Sequence, residues 1–181
     1  MRFEPTPLPG VFVVECDFVG DDRGGFARTF CEREFEQQGL ETNIRQCSIS
    51  YNRLRGTLRG MHYQAAPHDE VKLVRVTRGA IYDVALDLRE DSPTFRHWFA
   101  TELSSDSRRM FYIPRGCAHG FQTLADDTEV FYQISTPYEP TAARGVRWDD
   151  PAFGITWPLP ITAIHPRDAT YPDTSTTTTG E

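Results

Sequence analysis

Five residues have side chains suited to moving protons, and their neighbours decide how each is read. His62 stands in Leu58-Arg59-Gly60-Met61-His62-Tyr63-Gln64, where the two-residue period of a strand puts Leu58, Gly60, His62 and Gln64 on one face. Small and polar neighbours make that face a poor core, so His62 is either a satisfied structural imidazole or a base. In Glu70-Val71-Lys72-Leu73-Val74-Arg75-Val76, Lys72 shares a face with Val74 and Val76, while Arg75 goes with Leu73. A lysine so placed either snorkels to the rim or serves an anionic group inside. Tyr132 shares a face with Val130 and Ile134, which points its ring inward if that face is the core. His119 falls where a turn feeds a strand, in Ala118-His119-Gly120-Phe121, and structural, metal-binding and ligand-facing readings are all open to it. Asp168, in His165-Pro166-Arg167-Asp168, is by itself a turn or surface carboxylate. Behind a histidine it would fix the tautomer and stabilise the imidazolium.

Several other chemistries lack their motifs. No Gly-x-Ser-x-Gly accompanies the aspartate. Neither Gly-x-Gly-x-x-Gly nor Gly-x-x-x-x-Gly-Lys-Ser/Thr occurs, so a phosphate would be held by side chains such as Arg23, Arg59 or Lys72. Cys16, Cys31, Cys47 and Cys117 are widely separated with no Cys-x-x-Cys, and buried free thiols in a reduced, cytoplasmic protein are expected. With 19 basic against 26 acidic residues the formal charge is -7. Such a surface repels polyanions, which argues against nucleic acid and anionic membranes, although a local cluster of Arg and Lys can invert the field inside a pocket. No apolar run approaches the ~18 residues of a membrane span, and the first residues carry no signal-peptide core.

The elements that position these residues must be short strands. Thirteen Gly and thirteen Pro cut the chain into segments rich in Val, Ile, Phe, Tyr and Thr. Strands are expected at 11–17, 26–30, 45–50, 57–64, 70–77, 80–88, 97–103, 109–113, 118–124, 129–136 and 154–157, a spacing that predicts a sandwich or barrel. One peripheral helix is expected at 32–38, closed by Gly39. Turns are expected at 21–25 and 89–93, with a longer connection over 137–145. The 181 residues, 39% hydrophobic, suit a single domain over 1–173, followed by a flexible Thr-rich tail over 174–181.

Taken together, Asp22-Arg23-Gly24, the run Gly56 to Gln64, Lys72-Leu73-Val74-Arg75, Asp83-Val84 with Asp87-Leu88-Arg89, Ser92-Pro93-Thr94-Phe95, Ala118-His119-Gly120-Phe121 and Trp157-Pro158 resemble the dTDP-4-dehydrorhamnose 3,5-epimerase family of nucleotide-sugar enzymes. Each motif alone is weak, and their order over roughly residues 5 to 172 makes the resemblance specific. It implies a mainly β, cupin-type double-stranded β-helix (jelly-roll) barrel with short peripheral helices and an active site in its mouth. It also implies a homodimer that needs no metal or other cofactor. The implied reaction is epimerisation at C3, C5 or both of a nucleoside-diphosphate 4-keto-6-deoxyhexose through an enolate. By motif position His62 would be the base, Asp168 its dyad partner, Tyr132 the acid on the opposite sugar face, and Lys72 the enolate stabiliser. Gln46, Arg59 and His119 would line the pocket, Arg23 would lie near the diphosphate, and Tyr138 would stack on sugar or base.

Strict alternation conflicts with one part of this picture, because it sets Arg59 and His62 on opposite faces. A bulge at Gly60 would bring both to the pocket. Arg28, Ser48, Gln133 and Arg144 depart from the family pattern and bear on substrate identity. Rival activities also suit a barrel of this kind. A metal-dependent oxygenase would use His62, His119 and either His68 or Glu70 as ligands, although Gln64 stands where such proteins usually carry a second histidine. A sugar-nucleotide 3,4-ketoisomerase would form a similar enolate and return the proton differently. A binding barrel without catalysis would need no acid and base on opposite faces.

Overall fold

The alternating apolar residues are satisfied by two antiparallel sheets that face one another, in a computed structural model that describes residues 1–174. The first sheet runs β1 (Arg2–Pro5), β2 (Phe12–Glu15), β10 (Met110–Ile113), β7 (Lys72–Arg78), β12 (Thr128–Ile134), β5 (Gln46–Asn52). The second runs β13 (Ala143–Gly145), β6 (Thr57–Gln64), β11 (Cys117–Thr123), β8 (Ala80–Asp87), β9 (Trp98–Ser104), and the two-residue β14 (Ala163–Ile164) adds to β6 in parallel. A separate hairpin pairs β3 (Phe18–Asp21) with β4 (Gly24–Ala27). This is the expected mainly β, cupin-type arrangement. Among the described residues no helix is long and apolar enough to cross a membrane.

Three layers of apolar contact hold the sheets. Val13, Val74, Val76, Phe111 and Val130 from the first sheet meet Ile81, Ala85, Leu103 and Phe121 from the second. Burial of such side chains stabilises by roughly 1.5–3 kcal/mol each. The faces of β7 divide as alternation requires: Val74 and Val76 enter this central core, whereas Leu73 packs on the outer side with Met110 and Tyr112. That outer side is covered by Phe35 of α1 (Glu32–Gln37). Gly39, at φ +69, donates its N–H to the Glu36 carbonyl just past this helix. The outer face of the second sheet, with Met61, Val84 and Leu86, is covered by Val146, Phe153 and Ile155.

The bulge in β6 is present. His62 stands opposite His119 and Arg59 opposite Phe121, so three steps on β6 match two on β11. His119 and Phe121 share a face, and the extra residue therefore puts Arg59 and His62 on that same face. Leu58, paired with Gln122, goes to the other side, contrary to simple alternation through Gly60. Gly60 has φ +137, and a Cβ there would stand 2.5 Å from the Gly120 Cα. No larger residue fits so close to a neighbouring backbone.

Other expectations are corrected. Residues 154–157 form no strand: Gly154 turns the chain at φ +60, and Ile155, buried, and Trp157, half-buried, pack on the sheet without joining a ladder. Strands β1, β3 and β14 and helix α2 (Pro166–Ala169) match no expected element, and the expected connection over 137–145 ends in strand β13. The segment expected as strand 26–30 ends at Ala27. Of the four free cysteines only Cys117 is buried; Cys47 is exposed because edge strand β5 points it outward. Thr174 is fastened, its N–H and hydroxyl both donating to Asp150 Oδ2 at 2.8 Å. The rest of the expected tail, 175–181, lies outside the described residues.

Candidate active site

The open end of the space between the sheets holds a cavity of about 300 Å³. Its walls come from both layers: Gln46, Ser48, Lys72 and Tyr132 from the first sheet, His62, Gln64 and His119 from the second. Tyr138 and the C-terminal residues Arg167 and Tyr171 complete it.

His62 and Asp168 meet across 106 positions of sequence, with Nε2 2.8 Å from Oδ1. Asp168 is buried on α2, a single helical turn started by Pro166 and capped by the His165 ring, which accepts from the Arg167 N–H. Burial alone would push the Asp168 carboxyl up, but the hydrogen bond and charge of His62 and the Gly60 N–H hold it below the usual carboxylate range. An ionised carboxylate only accepts, so we assign the proton to Nε2. Arg167 Nη2, 3.4 Å from the same Nε2, cannot accept it. The basic lone pair is thereby left on Nδ1.

Lys72 is 9% exposed and does not snorkel to the rim. Its Nζ lies 2.9 Å from Glu70 Oε1 and donates to the His62 carbonyl at 3.3 Å. Tyr132 faces inward from the same sheet as Lys72, opposite His62, and stands beside Val74 and Ser48 in the ladder. Burial pushes its phenol far up, Asp83 adds to this, and Arg59 partly offsets it. The neutral form, with its proton, is strongly favoured. His119 packs edge-on against Tyr132 at 5.9 Å and makes a second, buried pair with Asp83, 2.6 Å from Nε2 to Oδ1.

The binding residues divide. Gln46 and Tyr138 are on the wall, tied together by the Tyr138 N–H donating to Gln46 Oε1 at 2.5 Å. Arg59 shares the inner face but turns to Asn52 Oδ1 at 2.6 Å, outside the cavity lining. Arg23 is not at the cavity: it stands at the β3–β4 turn, 89% exposed and paired with Asp21. The hairpin that carries it belongs to neither sheet.

The description of the family model that matches residues 5–176 is dTDP-4-dehydrorhamnose 3,5-epimerase. The chain belongs to this family. It is 45% identical over 158 residues to the dTDP-4-dehydrorhamnose 3,5-epimerase of Methanothermobacter thermautotrophicus, covering 87% of this chain and 84% of that protein. The crystal structure of the Elizabethkingia anophelis epimerase superposes with a TM-score of 0.94 at 33% identity, covering 98% of each chain. The Bacillus anthracis epimerase, solved with TDP and PPi bound, gives 0.90 at 37%, covering 95% of this chain and 98% of that one.

The cavity also contains residues that the sequence motifs did not flag. Arg167 and Tyr171 belong to a segment that has no strand or helix period to flag it. Among the departures, Ser48 and Arg144 line the cavity while Arg28 and Gln133 do not. One signal was open to inspection: Lys72 is the sole lysine, the other 18 of 19 basic residues being arginine. The ligand set of the oxygenase reading is not assembled: His62 and His119 each pair with their own aspartate, Glu70 with Lys72. Among the described residues no three His, Cys, Asp or Glu side chains are grouped to hold a metal ion.

Proposed function

We propose that the protein inverts C3 and C5 of dTDP-4-dehydro-6-deoxyglucose or a close 4-keto-6-deoxyhexose. The observation that carries this reading is a base oriented by a buried carboxylate, facing an ammonium and a half-buried tyrosine across one cavity. A proton beside a ketone is removable near neutral pH only if the developing enolate oxygen is met by a donor. C3 and C5 both flank C4, so a single base and a single cation can serve both carbons.

His62 Nδ1 takes the proton. The C–H electron pair enters the new C=C bond and the carbonyl pair moves to the C4 oxygen, where Lys72 donates a hydrogen bond. Tyr132, on the opposite wall, returns a proton to the other face, and exchange with solvent resets both groups. A nucleoside diphosphate is supported by the TDP held in the Bacillus anthracis relative. The test is incubation with dTDP-4-dehydro-6-deoxyglucose in deuterium oxide, read by NMR. Deuterium at both C3 and C5 is expected. Label at one carbon would limit the enzyme to a single inversion, and none from a folded protein would overturn the substrate.

The active form we propose is a homodimer. Phe18, Val19 and Phe26 on the hairpin are 47%, 71% and 74% exposed, and Ile49 and Tyr51 on edge strand β5 are 63% and 53% exposed. An apolar hairpin and an unpaired sheet edge are complementary templates for strand addition. Swapped between copies, the hairpin would carry Arg23 towards a partner's cavity, which reconciles the implied diphosphate role with its distance from its own. Light scattering should give twice the chain mass, and Phe26→Asp should move it towards the monomer; a monomeric parent protein would remove this reading. Four free thiols suit a reducing compartment, and we place the enzyme in the cytoplasm.

A further inference from the structure

Glu70 has no part in the proton transfers just described, yet its carboxylate is built into the same wall. Oε1 lies 2.9 Å from the Lys72 ammonium, with the two side chains 10% and 11% exposed. Oε2 accepts from Gln64 Nε2 at 3.0 Å. Gln64 is itself buried and tied at both ends of its amide: Nε2 also donates to the His68 carbonyl at 3.0 Å, and Oε1 accepts from the Glu139 N–H at 2.7 Å. The carboxylate therefore has a fixed place, set by an amide that cannot turn without losing these bonds.

A partly buried carboxylate beside the sole lysine is costly if the lysine's only task is to attract an anion, because it cancels the attraction. It is useful if direction matters more than net charge. An ammonium has three N–H donors on a flexible four-carbon stem. Here one faces Glu70 and one faces the His62 carbonyl, leaving the third for the cavity. Stabilisation of developing charge depends on donors that are in place before the charge appears. We infer that Glu70 is a positioning residue: locked by Gln64, it orients the Lys72 ammonium so that its remaining N–H meets the oxygen of the enolate.

The inference rests on the epimerase reading, and its test separates the two. Deuterium uptake at C3 and C5 is measured for the parent enzyme, Glu70→Gln, Lys72→Met and the double variant, alongside dTDP affinity and thermal unfolding. Glu70→Gln presents an N–H donor to Gln64 or to Lys72, so the orientation is lost while the shape is kept. Its kcat should fall roughly 10- to 100-fold, the scale of a misplaced catalytic group, with dTDP affinity unchanged. In the Lys72→Met background the same change should add no further loss, because there is no ammonium left to orient. Lysine-selective isotope labelling gives a single side-chain signal, and that signal should shift in Glu70→Gln. Parent-like kcat in Glu70→Gln, or an equal loss with and without Lys72, overturns the positioning role while leaving the epimerase standing. A parent enzyme that takes up no deuterium overturns both.

Discussion

His62→Ala should bind dTDP as the parent does and move no proton, its kcat falling by roughly 10³-fold. Deuterium should vanish from C3 and C5 together, because both carbons rely on the one Nδ1 lone pair. The change is cleanly readable: the imidazole is 31% exposed, so its removal opens no closed cavity, and a melting curve checks the fold. Retained label at one carbon would show a second base at work there, and His119, already committed to Asp83, would be the first residue to test.

Asp168→Asn should cost about 10³-fold in kcat with little change in KM, by a different route. The amide presents either a carbonyl or an NH2 to Nε2. With the NH2 forward, Nε2 must accept, the ring proton moves to Nδ1, and the base is occupied. With the carbonyl forward the tautomer survives, but the imidazolium formed after proton abstraction loses its counter-charge. The same variant tests the electrostatics. The Asp168 carboxyl is held below its ordinary value in the folded protein, so the stability it contributes is present above about pH 4 and is lost as the pH falls through the folded value. Melting temperatures of parent and variant, separated near neutral pH, should converge in acid. A constant gap down to the acid limit would mean that the charge of Asp168 adds nothing to stability.

What could be read from the sequence follows from periodicity. Strands β6, β7, β8, β11 and β12 were legible because their side chains alternate, and alternation alone sets Lys72 with Val74 and Val76. The clash between Arg59 and His62 was legible as a conflict, and Gly60 as its remedy, because glycine alone tolerates the backbone needed there. The His62–Asp168 pair was not legible from the residues: 106 positions separate them, and only the family resemblance joined them. Glu70 entered the sequence analysis as a metal ligand and not as a partner of Lys72, although alternation over 70–77 sets the two on one face; alternation gives the shared face and not the 2.9 Å contact. Strand β14 and helix α2 are too short for any period to show. Arg23 was the reverse case: the resemblance set it near the diphosphate, and the chain holds it at an exposed turn outside the cavity.

The lone lysine has a practical corollary. Every other basic side chain of this sequence is a guanidinium or an imidazole, and its single ε-amine lines the cavity between the sheets. Acylating reagents that decorate most proteins at random would here have two targets, the α-amine of Met1 and Lys72 in the cavity wall. Amine chemistry, ordinarily the least selective of labels, becomes for this molecule a report on whether the chamber is occupied.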